Sequence, residues 1–103
     1  MAAGRRRIIW SPVALRQLED ALEYVTERSP LAAANLLEDS FGAADSLETM
    51  SQRGREVPEI RDGRTRELFV QRYRLMYEVS PGQVDIVAFV HTAQDFERWR
   101  RGE

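Results

Sequence analysis

The sequence predicts an α+β fold: an N-terminal strand and an antiparallel helix hairpin packed on one face of a small antiparallel sheet, ordered β-α-α-β-β-β with a short C-terminal helix. Three observations carry this. Two stretches repeat apolar residues at spacings of three and four, and each opens on Ser-Pro (Ser11-Pro12, Ser29-Pro30). Between Thr65 and Val90 the period changes to two, in three short runs separated by turn residues. With 103 residues, 43% of them apolar, residues 1–103 form one domain with a single modest core.

Arg7–Trp10 reads as the first strand. Ser11 is a good helix cap, and Pro12 sits in the first turn, where a missing N–H costs nothing. Leu15, Leu18, Leu22 and Val25 then form one apolar stripe, with Gln17, Glu19, Asp20, Glu23 and Glu27 largely on the remaining, solvated surface. Ser29 and Pro30 repeat the start signal. The second stripe is Ala33, Leu37, Ser40, Ala44 and Leu47, broadened by Leu36 and Phe41. Gly42 inside it costs about 1 kcal/mol against alanine, too little to break the helix. Ser51–Arg64 carries Gly54, Pro58 and Gly63 without a period and reads as a long loop. Strands follow at Thr65–Val70, Tyr73–Val79 and Val84–Val90, the last two joined by Ser80-Pro81-Gly82-Gln83. A last short helix is predicted from Ala93, with Phe96, Trp99 and Arg100 near its end.

Centring the turns fixes a register. Phe69 falls opposite Arg74, Met76 opposite Val87, Arg74 also opposite Phe89, and Glu78 opposite Asp85, a like-charge pair at a hairpin end. Alternation places Leu68, Val70, Tyr73, Leu75, Tyr77, Val79, Val84, Ile86, Ala88 and Val90 on the face that buries the helix stripes. Phe69, Arg74, Met76, Val87, Phe89 and His91 are left on the other face. A short C-terminal helix cannot cover three strands, so this second face is expected to stay partly bare and to bind a partner. Its arginine-rich surround suits a partner bearing carboxylates or phosphates.

Composition excludes several chemistries. All 15 cationic residues are Arg, so no lysine can serve as base or nucleophile. There is no cysteine, which removes disulfides, thiolate catalysis and cysteine metal sites. One histidine among scattered carboxylates gives no metal-site pattern, and no cofactor motif is present. The apolar part of the opening is only Ile8-Ile9-Trp10, far short of a signal peptide, and no run approaches a membrane span. A cytoplasmic protein is expected. Net charge is −2, divided unevenly: residues 11–51 hold two Arg against eight carboxylates, residues 52–79 seven Arg against five.

The opening WSPVALRQLEDALEYV, the stretch SPLAAANLLEDSF, the loop GREVPEI and the strands RELFVQRYRLMYEV and VDIVAFVH occur in this order over residues 7–96. Together they resemble the RelE/ParE toxin superfamily of bacterial type II toxin–antitoxin modules. The resemblance implies a helix hairpin on a small antiparallel sheet, in agreement with the residue-level reading. It also implies a cognate, ParD-like antitoxin that wraps the toxin with an extended tail, a toxin–antitoxin hetero-oligomer, and a role of the plasmid-stabilisation type. On that basis Phe69, Arg74, Met76, Val87 and Phe89 are the expected antitoxin contacts. Arg64, Arg66, Arg72, Phe96 and Trp99 are the expected target contacts.

The superfamily has two main modes. RelE-like members cut mRNA on the ribosome; ParE-like members are linked to DNA gyrase and are not known to catalyse a step of their own. Metal-free RNA cleavage needs a base, an acid and cations for the phosphate. Alignment on Tyr73-Arg74-Leu75 puts Thr65 and Glu67 near the RelE lysine positions and Gln94 near its later arginine, so only Arg74 of that set is retained. A YoeB-like set would use Glu59, Arg74 and His91, the last with a one-residue offset. A chain with net −2 and an acidic helical half is also ill suited to the phosphate-dense ribosome. The reading is therefore ParE-like, with gyrase as target and no catalytic residue. The alternatives are a ribosome-dependent endoribonuclease using Glu59, Arg74 and His91, and a non-toxic relative that retains antitoxin binding.

Overall fold

The computed structural model describes residues 5–93. The predicted C-terminal helix, with Gln94, Phe96 and Trp99, lies outside the described residues. The elements are β1 (Arg7–Trp10), α1 (Pro12–Thr26), α2 (Pro30–Ser46), β2 (Arg55–Glu56), β3 (Thr65–Val70), β4 (Tyr73–Ser80) and β5 (Gln83–His91). Both predicted caps form. Ser11 Oγ accepts from the Ala14 N–H and Ser29 Oγ from the Ala32 N–H, each at 3.1 Å.

The sheet order is β1-β5-β4-β3-β2. The last four strands are antiparallel, and β1 joins β5 in parallel, which makes the sheet mixed. The β4–β5 hairpin is tighter than the sequence suggests: the strands extend until only Pro81-Gly82 remain between them, with Gly82 at φ 79°. The like-charge pair Glu78–Asp85 does form. It is eased by Arg64 at 3.9 Å from Glu78 and by a 2.7 Å bond from Gln83 Nε2 to Asp85.

The helix hairpin buries Ala14, Leu18, Leu36, Ala44 and Leu47 against Leu75, Tyr77, Val84, Ile86 and Phe89. Ala14 and Leu36 take inward positions, leaving Leu15, Leu37 and Phe41 more exposed than their stripes predict. Phe41 packs edge-on against Trp10, with centroids 5.6 Å apart.

The predicted register holds in the β3–β4 hairpin, where Phe69 pairs with Arg74, and fails in β5. A bulge opposite Met76/Tyr77 makes Val87 an extra residue, so Met76 pairs with Ala88 and Arg74 with Val90. Beyond Val87 every side chain changes face. Phe89 and His91, assigned to the second face, turn to the helix side. Phe89 enters the core there, with 2% of its surface exposed. Ala88 and Val90, assigned to the core, turn to the second face and pack with Met76 under Val57 and Ile60 of the 51–64 loop. That face is therefore not bare: Met76 is 1% exposed.

The bulged strand is tied to α1. β1 accompanies β5 only from Gln83 to Ile86, so the Phe89 N–H lies past the end of its neighbour. Gln17 Oε1 accepts it at 2.7 Å. Gln17→Leu should leave this group unsatisfied and cost about 1–3 kcal/mol, read as a lower urea midpoint at unchanged m-value.

Candidate functional site

The 51–64 segment is held at both ends. Tyr77 Oη donates to the Ser51 carbonyl at 2.9 Å and accepts from the Gly54 N–H at 2.8 Å. A Cβ at Gly54 would stand 2.5 Å from that hydroxyl, so the close approach requires glycine. Further along, Asp62 accepts from the N–H groups of Arg64 and Thr65 and from the Thr65 hydroxyl, all at 2.8 Å. These bonds hold the Asp62 carboxyl below its usual range, the Thr65 N–H foremost. Between the two anchors, Val57 and Ile60 lie on the sheet and carry Glu59 to Arg74.

Four charged groups then alternate across the second face. Arg74 Nη1 and Nη2 reach the two oxygens of Glu59 at 3.0 and 2.7 Å, a bidentate fork. Its Nε donates to Glu67 Oε1 at 2.7 Å, and Glu67 Oε2 accepts from Arg55 Nε at 2.7 Å. The Arg55 guanidinium finally lies 5.0 Å from the Phe69 ring centroid. The Glu67 side chain is fully buried and that of Arg74 nearly so. The hydrogen bonds from Arg74 are the main cause holding the Glu59 carboxyl below its usual range. Those to Glu59 lead in pushing the guanidinium of Arg74 still higher.

Of the sequence-predicted catalytic set, the structure brings Glu59 and Arg74 together and leaves His91 apart. Arg74 projects from the second face, whereas His91, paired with Tyr73, belongs to the helix side and stands edge-on to the Tyr73 ring at 5.2 Å. His91 Nδ1 accepts the Ala93 N–H at 3.0 Å, the turn-closing role ordinary for a strand-end histidine. Of the expected antitoxin contacts, Phe69 is 54% exposed and Val87 half-buried; Arg74, Met76 and Phe89 are covered, by the loop or by the core. Of the expected target contacts, Arg64 and Arg72 are exposed. Arg66 is partly committed, with Nη1 on the Gly54 carbonyl at 2.7 Å. Among the described residues no three His, Asp or Glu side chains converge as metal ligands, and no helix is long and apolar enough to cross a membrane.

One feature escaped the sequence reading. A cleft of about 530 Å³ opens between α1 and the end of the sheet, lined by Gln17, Asp20, Ala21, Tyr24, Tyr73, Phe89 and His91. It exists because the bulge turns Phe89 and His91 toward α1. No sequence signal announced it, because the predicted runs 73–79 and 84–90 are equal in length and alternate without a break.

Three comparisons bear on this architecture. Residues 8–96 match the family described as the ParE toxin of the type II toxin–antitoxin system parDE. The chain is 35% identical over 89 residues to Toxin RelE2 of Caulobacter vibrioides, covering 85% of this chain and 97% of the relative. Its fold is similar to a chain of the chromosomal ParDE TA system from P. aeruginosa. That likeness has a TM-score of 0.69 and 18% identity, over 84% of this chain and 96% of that one.

Two outcomes follow from the charge chain. Arg74→Ala leaves the buried Glu67 carboxylate with Arg55 alone and should cost about 3–5 kcal/mol in denaturant unfolding. The Glu59 clamp should respond to acid. Its folded pKa lies below the unfolded value, so its contribution is present above the ordinary carboxylate range and is lost as pH falls through the depressed value. Wild type should therefore exceed Glu59→Gln in melting temperature near pH 7, and the gap should close in acid, below about pH 4.

Proposed function

This chain belongs to the ParE toxin family of type II toxin–antitoxin systems, and from that premise we propose that it arrests bacterial growth by binding DNA gyrase, without cleaving RNA. The supporting observation is the division of Glu59, Arg74 and His91 between two faces of the sheet. A general base and a general acid acting on one phosphodiester must both reach it, and a base works best with its pKa near the operating pH. Glu59 departs the other way: its forked bond to Arg74 lowers its proton affinity. Arg74 in turn is engaged by two carboxylates, a structural use that leaves no need for phosphate binding to explain it. Net charge of −2 weighs in the same direction.

Neutralisation falls to a cognate antitoxin, which the family implies as partner in a toxin–antitoxin complex. On the second face its contact centres on exposed Phe69 and half-buried Val87, and not on Met76 or Arg74 unless the loop lifts; Phe89 lies on the other side of the sheet, in the core. Exposed Arg64 and Arg72 are the target contacts this reading retains. Action on gyrase places the protein in the cytoplasm. The ribosomal alternative has one specific support, the 35% identity to a protein named RelE2.

The test pairs two assays on purified toxin: gyrase supercoiling with trapped DNA breaks, and mRNA cleavage on programmed ribosomes. Gyrase poisoning with intact mRNA is expected, and Glu59→Gln and His91→Gln should each retain most growth arrest. Codon-specific cleavage lost by about 10²–10⁴ in both variants would establish the nuclease instead.

A further inference from the structure

We propose that the cleft between α1 and the bulged end of β5 receives an arginine side chain of the cognate antitoxin. The inference rests on the family's antitoxin partnership but not on the mode of toxicity. The floor of the cleft is aromatic. Tyr73 and Phe89 stack with centroids 4.9 Å apart and planes 11° from parallel, and burial raises the Tyr73 hydroxyl above its usual pKa. Tyr24, more than half exposed, forms a side wall. The rim is acidic. Asp20 lines the cleft and, with Tyr24, also lines a second hollow of about 230 Å³ that continues to Glu23 and Glu27. Asp20 meets only Arg16, at 3.7 Å between two exposed side chains, and Glu23 and Glu27 have no ion pair among the described residues.

An aromatic cleft rimmed by exposed carboxylates, of which Asp20 holds one solvated ion pair and Glu23 and Glu27 none among the described residues, favours a cation with a flat, weakly hydrated face. A guanidinium meets that requirement better than a compact ammonium. The chain supplies a precedent at this wall, where Arg28 lies 4.4 Å from the Tyr24 ring centroid. Phosphate-bearing ligands are repelled by the same carboxylates. An extended antitoxin segment provides such a side chain without needing a concave surface of its own, and a charge pair against an aromatic floor fixes its register.

The test uses the co-purified toxin–antitoxin complex. With p-benzoylphenylalanine in place of Tyr24, irradiation should yield a crosslink to an arginine-containing antitoxin peptide. A crosslink to residues 94–103 of the same chain, to a second toxin copy, or none at all, would overturn the proposal. Asp20→Arg should weaken antitoxin binding on the order of tenfold or more, while Asp20→Glu, which keeps the charge, should bind within a few-fold of wild type. Unchanged affinity in Asp20→Arg would also overturn it. Free-toxin gyrase and ribosome assays report on the mode of action separately, so either reading can fail while the other stands.

Discussion

A single supernumerary residue in β5, Val87, decides which side chains meet in this protein. Without it, strict alternation would carry Phe89 to the second face and Val90 to the helix side. With it, Phe89 fills the space between Tyr73 and Trp10, its ring centroid 4.9 Å from the former and 6.4 Å from the latter. Ala88 and Val90 join Met76 beneath the loop. A bulge opposes two residues to one and leaves a ladder group unpaired. Here the neighbouring β1 has already ended, and Gln17 takes the Phe89 N–H across 72 positions of sequence. The bulge, the length of β1 and the identity of residue 17 are thus one arrangement.

The second face depends on that arrangement. Once Ala88 and Val90 lie beside Met76, the face is apolar enough to hold Val57 and Ile60, and the loop then brings Glu59 onto Arg74. Burying Glu67 beside Arg74 is expensive in desolvation, and such pairs seldom add much stability over an apolar substitute. Their value lies in geometry. Glu67 bridges Arg74 and Arg55, the fork fixes where Glu59 sits, and a displaced loop would expose two carboxylates and a guanidinium together. The network accordingly favours one loop position over its alternatives.

The sequence made the helices and the β3–β4 hairpin legible because each rests on local signals: Ser-Pro starts, period-three-and-four stripes, and a two-residue turn that leaves no slack in register. The parallel docking of β1 was not local, since it depends on where the hairpin returns. Nor was the bulge, because Val84, Ile86, Ala88 and Val90 alternate without a break and nothing in Val87 itself distinguishes a bulged valine from a paired one. Every error about the site descends from that residue. Phe89 and His91 belong to the face opposite the expected one, the second face expected to be partly bare is covered at Met76, and the aromatic cleft had no counterpart in the sequence. The pairing of Glu59 with Arg74 was not local either, because no sequence signal laid the 51–64 loop across β4.

A domain of this size is stable by about 5–15 kcal/mol, so removing Arg74 from between two carboxylates spends a large part of that margin. A silent Arg74 variant would look like a dead nuclease even if the protein never touches RNA. His91 is freer of this ambiguity, because its ring accepts the Ala93 N–H in the turn after β5 and rests edge-on against Tyr73, with no buried charge depending on it. Glu59 is intermediate: one third of its side chain is exposed, and Gln can keep a hydrogen bond to the guanidinium while giving up the charge. Among the three residues, His91 is therefore the position where activity and folding separate most cleanly, and the Glu59 result gains meaning only beside a measured melting temperature.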